Sequence, residues 1–130
     1  GISSGSYVYG VEYETNLPKS PSLLNSEAPC AVCLARGKQS MLVVPASDKC
    51  RGTGWTMEYS GYMMSSSSGS HYRAEYICVD DEAEGIPRTS ANNNEAMLYV
   101  VTSQCGSSGG GLPCPPYANG LHVLCAVCTI

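Results

Sequence analysis

The chain has no phenylalanine, only two histidines and charged side chains at just 14% of its 130 positions. Each shortage removes a class of protein. Seven Lys+Arg against eleven Asp+Glu leave a formal net charge of −4, so there is no cationic surface for a phosphate backbone, and nucleic acid is not expected as a partner. No apolar run approaches the roughly 18 residues of a membrane helix. The longest, Leu121 to Ile130, is interrupted by His122, and no membrane insertion is expected. No Gly-x-y triplets run, so the chain itself holds no collagen helix, and no Asn-x-Ser/Thr acceptor occurs. With two histidines and no helix-borne carboxylate pair, acid–base and nucleophilic catalysis lack support, and a non-enzymatic protein is expected.

What is abundant is cysteine, with eight residues, alongside Ser, Gly, Asn and nine tyrosines. An even cysteine count at this density predicts disulfides and an oxidising compartment, hence a secreted, extracellular protein. A start at Gly1 rather than Met fits processing of a secreted precursor. Cys30-Ala31-Val32-Cys33 and Cys125-Ala126-Val127-Cys128 also have the C-x-x-C spacing of zinc or redox sites. Zinc knuckles usually carry Gly, Lys or Pro at the turn around the metal, whereas Ala-Val suits an extended strand. A redox pair would open a helix, and no helical pattern follows either motif. No metal or cofactor is therefore expected.

The connectivity rests on spacing. Cys50 and Cys78 bracket one aromatic segment, and Cys105 and Cys114 bracket a short Gly-Ser loop. The remaining four are the two Cys-Ala-Val-Cys segments. Positions i and i+3 of a strand face opposite sides. Two such strands side by side would therefore carry one bridge on each face, so Cys30 and Cys33 are expected to cross-bridge with Cys125 and Cys128.

Fourteen glycines and eight prolines punctuate the chain into short pieces, which favours strands over helices. The predicted fold class is all-β, with little or no helix. Residues 1–130 form a single compact, disulfide-stapled domain of six to eight short antiparallel strands, with its core in 7–128. In Tyr7 to Glu14, Tyr7, Tyr9, Val11 and Tyr13 share one face and the glutamates the other. Ser40 to Val44 is a strand stopped at Pro45. Trp55, Met57 and Tyr59 alternate with Thr56, Glu58 and Ser60. Ala96 to Thr102 is an apolar run buried on both faces, and Leu121 to Cys128 closes the sheet. Asn16 to Pro29, Ser65 to Ser70, Asp81 to Asn94 and Gly106 to Gly111 read as loops.

The densest polar constellation is Ser70 to Cys78. As a strand it would turn His71, Arg73 and Glu75 outward together and Tyr72, Ala74, Tyr76 and Cys78 toward the core. An imidazole, a forked cation and a carboxylate at fixed spacing suit a ligand rich in hydroxyls, whose lost water bonds must be replaced. Arg73 would meet a carboxylate or two adjacent hydroxyls, and Glu75 would accept from hydroxyls or hold Arg73. Trp55, Tyr59 or Tyr62 would cover the C–H face of a pyranose, with Tyr72 beside the row. His122, next to the Asn119-Gly120 turn, reads as structural or as a secondary contact. The bland alternative is that this face is merely solvated. Asp80 to Gly85 matches the first half of a calcium loop, but Pro87 interrupts it and its twelfth position is Ala91, so it reads as an acidic turn.

Tyr7-Val8-Tyr9-Gly10-Val11-Glu12-Tyr13, Pro29-Cys30-Ala31-Val32-Cys33, Gly54 to Tyr62 and Tyr72 to Asp80, followed by Cys105-Gly106, Leu112 to Tyr117 and Cys125 to Cys128, resemble the non-collagenous domain of the short-chain collagen C4-like proteins of sponges and other marine invertebrates. The pattern is also similar to that of the gonad lectins of sea hares, which bind galactose and galacturonate. Family members often carry a preceding module with its own cysteine pair, and this chain starts after it; the stretch before Tyr72 is longer and richer in serine here. The resemblance implies an extracellular disulfide-bonded β domain, and its lectin branch implies binding of glycans bearing galactose or galacturonate. The rival implication is a matrix-assembly domain with no sugar site. A lectin of this size gains avidity from several sites, so a homo-oligomer, with a dimer favoured, is expected.

Overall fold

The computed structural model describes residues 5, 7–69, 75–94, 96–106 and 110–130. Among them there is no helix. Six strands form one sheet: β1 (Val11–Tyr13), β2 (Met41–Pro45), β3 (Thr56–Ser65), β4 (Ile77–Asp80), β5 (Ala96–Val100) and β6 (Leu124–Thr129). The order is β1-β5-β3-β6-β2, with β4 pairing β3 off this path. The all-β expectation holds. One pairing corrects the all-antiparallel reading: β1 and β5 run parallel, Val11 opposite Ala96 and Tyr13 opposite Leu98. A parallel pair needs a long crossover, and here the rest of the sheet's first four strands lies between the two partners.

β3 is the spine, pairing with β6 over its first part and with β4 and β5 toward its end. Met57 lies opposite Cys128 and Tyr59 opposite Val127, so Glu58 is an extra residue in a β-bulge. Since Cys128 and Val127 are consecutive, Met57 and Tyr59 point to opposite faces, which overturns their expected alternation on one face. The Glu58 carboxylate accepts a hydrogen bond from the buried Thr129 hydroxyl, which holds the bulge.

The N-terminal strand is shorter than its tyrosine pattern suggests. Tyr7 and Tyr9 are exposed and only Val11–Tyr13 pairs. Glu12, on the face opposite Val11 and Tyr13, is buried as well, at 2% exposure. It lies across from Glu27, and the Asn-rich loop folds over it, the Asn93 N–H donating to Glu12 Oε2 at 3.0 Å. β5 is half-buried along its length rather than sealed on both faces.

Tyr13, Leu17, Leu23, Met64 and Val79 form the buried core. Two of these come from the aperiodic Asn16–Pro29 segment. The Asn16 side-chain oxygen accepts the N–H groups of Leu23 and Leu24 at 3.0 and 2.9 Å, bending the loop so that Leu17 and Leu23 turn inward. Asp80 to Gly85 folds as a side-chain-capped turn, with Asp80 Oδ1 accepting the Glu82 N–H at 2.9 Å and Asp81 paired with Lys19 at 2.6 Å.

Three disulfides staple this sheet: Cys50–Cys128, Cys78–Cys125 and Cys105–Cys114. The short closure was expected; the other two correct the predicted map. On β6, Cys125 and Cys128 do take one bridge on each face, but their partners lie beside β3 rather than in the first Cys-Ala-Val-Cys. That segment is not a strand. Cys30 and Cys33 are exposed free thiols. The same tetrapeptide becomes a strand only where it is inserted between β3 and β2, whose ladders satisfy its backbone on both sides.

Candidate binding cleft along β4

All four residues of β4 line one cavity of about 900 Å³. Successive strand residues point to opposite faces, so a cavity that touches every one of them runs along the strand's edge. Among the described residues β4 pairs only with β3, and no described strand pairs with its other edge. The same cavity is lined by Val11 and Tyr13 of β1, by Ala96, Met97 and Leu98 of β5, and by Ala28 to Ala31. The cleft therefore joins an apolar wall to a strand edge, whose unpaired backbone groups are ready donors and acceptors.

Its polar side chains are hydroxyls and acids. Ser65, Ser66 and Ser67 line it with Glu75, Ser65 being buried, and Asp80 and Glu84 complete the acidic set; no Lys, Arg or His is among its described lining residues. The Ser65 hydroxyl donates to the Glu75 carbonyl at 2.6 Å, pinning the approach to β4 onto the end of β3. The Tyr59 hydroxyl donates to the Cys78 carbonyl at 3.0 Å, which fixes its ring in the cleft. Burial first, and then the charge of Asp80, raises the Tyr59 pKa. Tyr13 is raised likewise by burial, with Cys30 adding to it. Both phenols therefore remain protonated donors at neutral pH.

Of the residues that the sequence singles out, the cleft brings together Tyr59 and Glu75. Strand β4 begins at Ile77, so Glu75 precedes it, and Tyr76, expected to face the core, is half-exposed at 48%. Tyr62 lies elsewhere, its ring edge-on to His122 at 6.4 Å between centroids. His122 also sits 3.4 Å from the Thr102 hydroxyl through Nδ1, a contact that ties two chain segments. Trp55 is half-buried beside Gly52 and outside the cleft. His71, Tyr72 and Arg73 lie outside the described residues. The backbone edge and the serine rim had no sequence signal beyond a serine run that reads as a flexible tip.

A second cavity, of about 660 Å³, has the cations Lys19 and Arg88 in its lining, but Glu82 and Glu84 share it and Lys19 is already paired with Asp81. Beneath the Asn-rich loop lies a different electrostatic feature. Glu12 Oε1 and Glu14 Oε1 are buried with no donor among the described residues. Burial first, then hydrogen bonding toward Glu12, then the Glu12 charge raise the Glu14 pKa above its usual 4.5. A folded-state pKa above the unfolded one stabilises the fold at acid pH, and that contribution is lost as pH rises through the raised value. A Glu14→Gln substitution supplies a donor at every pH. It is expected to add about 1 kcal/mol at pH 7, a Tm gain of about 4 °C, and to flatten the fall in Tm between pH 4 and pH 7. Equal Tm profiles for the two proteins across that range would contradict the raised Glu14 pKa.

No protein-family model matches the chain, and no solved structure matches it.

Proposed function

We propose that this chain is an extracellular, non-catalytic carbohydrate-binding domain that takes neutral galactose-type sugars in the cleft along β4. The observation that carries the reading is the composition of that cleft. Its lining combines serine hydroxyls, carboxylates and the residues of β4 with tyrosine rings and apolar side chains. A pyranose presents the same two surfaces, hydroxyl edges that need acceptors and donors replaced one for one, and a C–H face that an aromatic ring covers. A volume of about 900 Å³ falls within the usual size of small-ligand sites and admits more than one sugar unit.

The acids of the described lining support the neutral member of the two sugars implied by the resemblance to sea-hare lectins. Glu75, Asp80 and Glu84 repel a uronate, and among the described lining residues no cation offsets them. Neutral galactosides are therefore favoured over galacturonate. The three disulfides, in a chain with no helix long and apolar enough to cross a membrane among the described residues, agree with a secreted location.

A glycan array with neutral galactosides and galacturonates tests this. Binding to galactosides is expected, with Glu75→Gln lowering it about tenfold through one lost charged acceptor and leaving Tm unchanged. Arg73→Ala, the cation of the sequence-based row, is expected to abolish binding only if the ligand is a uronate. An array without hits would leave the matrix-assembly reading.

A further inference from the structure

We infer that Cys30 and Cys33 join this chain covalently to a second copy of itself. The inference goes beyond the sugar reading and does not depend on it. All eight cysteines are described; six are oxidised in pairs and these two remain as exposed thiols. Conditions that oxidise six cysteines also oxidise accessible thiols, and no other unpaired cysteine occurs among these 130 residues.

Geometry disfavours their pairing with each other. Residues 30–34 run without a turn or bend. Three residues of such chain span about 10 Å, whereas a disulfide holds its Cα atoms about 4.4–6.8 Å apart. A second chain is not so restricted. No hydrogen bond among the described residues involves residues 29–34, and Val32 and Leu34 are 105% and 83% exposed. The segment is an unpaired, extended, apolar piece of backbone, the kind that adds to another strand.

The partner is a second copy because of charge. Two molecules of net charge −4 repel, so a self-contact must use an uncharged surface. Ala28-Pro29-Cys30-Ala31-Val32-Cys33-Leu34-Ala35 contains no ionisable group other than the two thiols. A two-fold contact of this segment with itself brings two thiols from each side together and closes at the dimer.

The chemistry is thiol–disulfide exchange with a low-molecular-weight disulfide, RSSR, as oxidant. A thiolate of one copy attacks RSSR and expels RS⁻, giving a mixed disulfide. A thiolate of the second copy attacks the protein sulfur and expels the other RS⁻. Each bridge removes two electrons and two protons from the two cysteines, and they leave as two RSH.

The test uses the chain secreted through an oxidising pathway, alkylated with iodoacetamide and kept free of reductant. The expected species has twice the mass of the 13.7 kDa chain and returns to 13.7 kDa with dithiothreitol. A non-reduced tryptic map is expected to show the peptide Ser20–Arg36 joined to another copy of itself. The Cys30→Ser/Cys33→Ser double variant is expected to be monomeric with an unchanged Tm. The inference is overturned by a wild-type monomer, whether its thiols are alkylated or its Ser20–Arg36 peptide carries an internal bridge. A dimer that persists in the double variant overturns it as well. So does one that survives dithiothreitol but dissociates with EDTA, which would reveal a metal held between thiolates.

Discussion

Gly61→Ala is expected to prevent recovery of folded protein, or to lower its stability by at least about 3 kcal/mol out of the roughly 5–15 kcal/mol of a typical domain. Gly61 lies in β3 with Cys125 of β6 on one side and Asp80 of β4 on the other. A Cβ there would stand 1.9 Å from the Val79 carbonyl oxygen, 2.6 Å from the Asp81 nitrogen and 2.8 Å from the Asp80 carbonyl carbon. All three are backbone atoms, so no side chain can swing aside. Relief requires β4 to leave β3, yet the Cys78–Cys125 bridge ties β4 to the sheet with a Cα separation of 5.8 Å. Any sugar bound along the β4 edge would be lost with it. Gly69→Ala is the control, since among the described residues its Cβ meets only Ser67 Oγ, at 3.9 Å. Refolding yield and thermal unfolding decide the matter; a Gly61→Ala protein within about 3 °C of wild type, under 1 kcal/mol, would refute the close approach.

The disulfides should differ in weight according to the chain they close. Cys50–Cys128 spans 78 positions and Cys105–Cys114 spans 9, so loop-closure entropy assigns about 4–5 kcal/mol to the first and about 2–3 kcal/mol to the second. Burial sharpens the contrast, because Cys128 is 1% exposed while Cys114 is at the surface. The Cys50→Ala/Cys128→Ala variant is expected to lose about 15 °C or more in Tm, and Cys105→Ala/Cys114→Ala about half that. Calorimetry of the two double variants checks the ranking. Equal losses would mean that native-state packing around the bridges, rather than the constraint on the unfolded chain, sets their contribution.

Several elements were legible in the residues because the signal was local. Pro45 ends β2 where its apolar run meets a residue without an N–H, and the apolar run from Ala96 locates β5. Cys105 and Cys114 sit at the two ends of a Gly-Ser loop, and nearness in sequence made them partners. Glycine within a strand also hints at a close approach, which Gly61 realises. The bulge at Glu58 was not legible, since it appears only when β3 and β6 are placed side by side and Thr129 meets the extra carboxylate. The burial of Glu12 was not legible, because an alternating strand says only that it opposes Tyr13; a loop some eighty positions away covers it, with Asn93 as its donor. For the cleft, Tyr59 and Glu75 were found as sugar-type side chains, but the edge they share is a product of strand pairing.

From composition and spacing alone came a helix-poor chain of short strands, uncharged and polar between its turns, with cysteines suited to disulfides. Three-dimensional pairing alone decided which cysteines bond. Cys-Ala-Val-Cys occurs twice with identical local forces; one copy is buried between two strands and doubly bridged, and the other stands exposed with free thiols. Four residues carry no information about the strands that satisfy their backbone or about the cysteines that bridge to them, which arrive from 47 and 78 positions away.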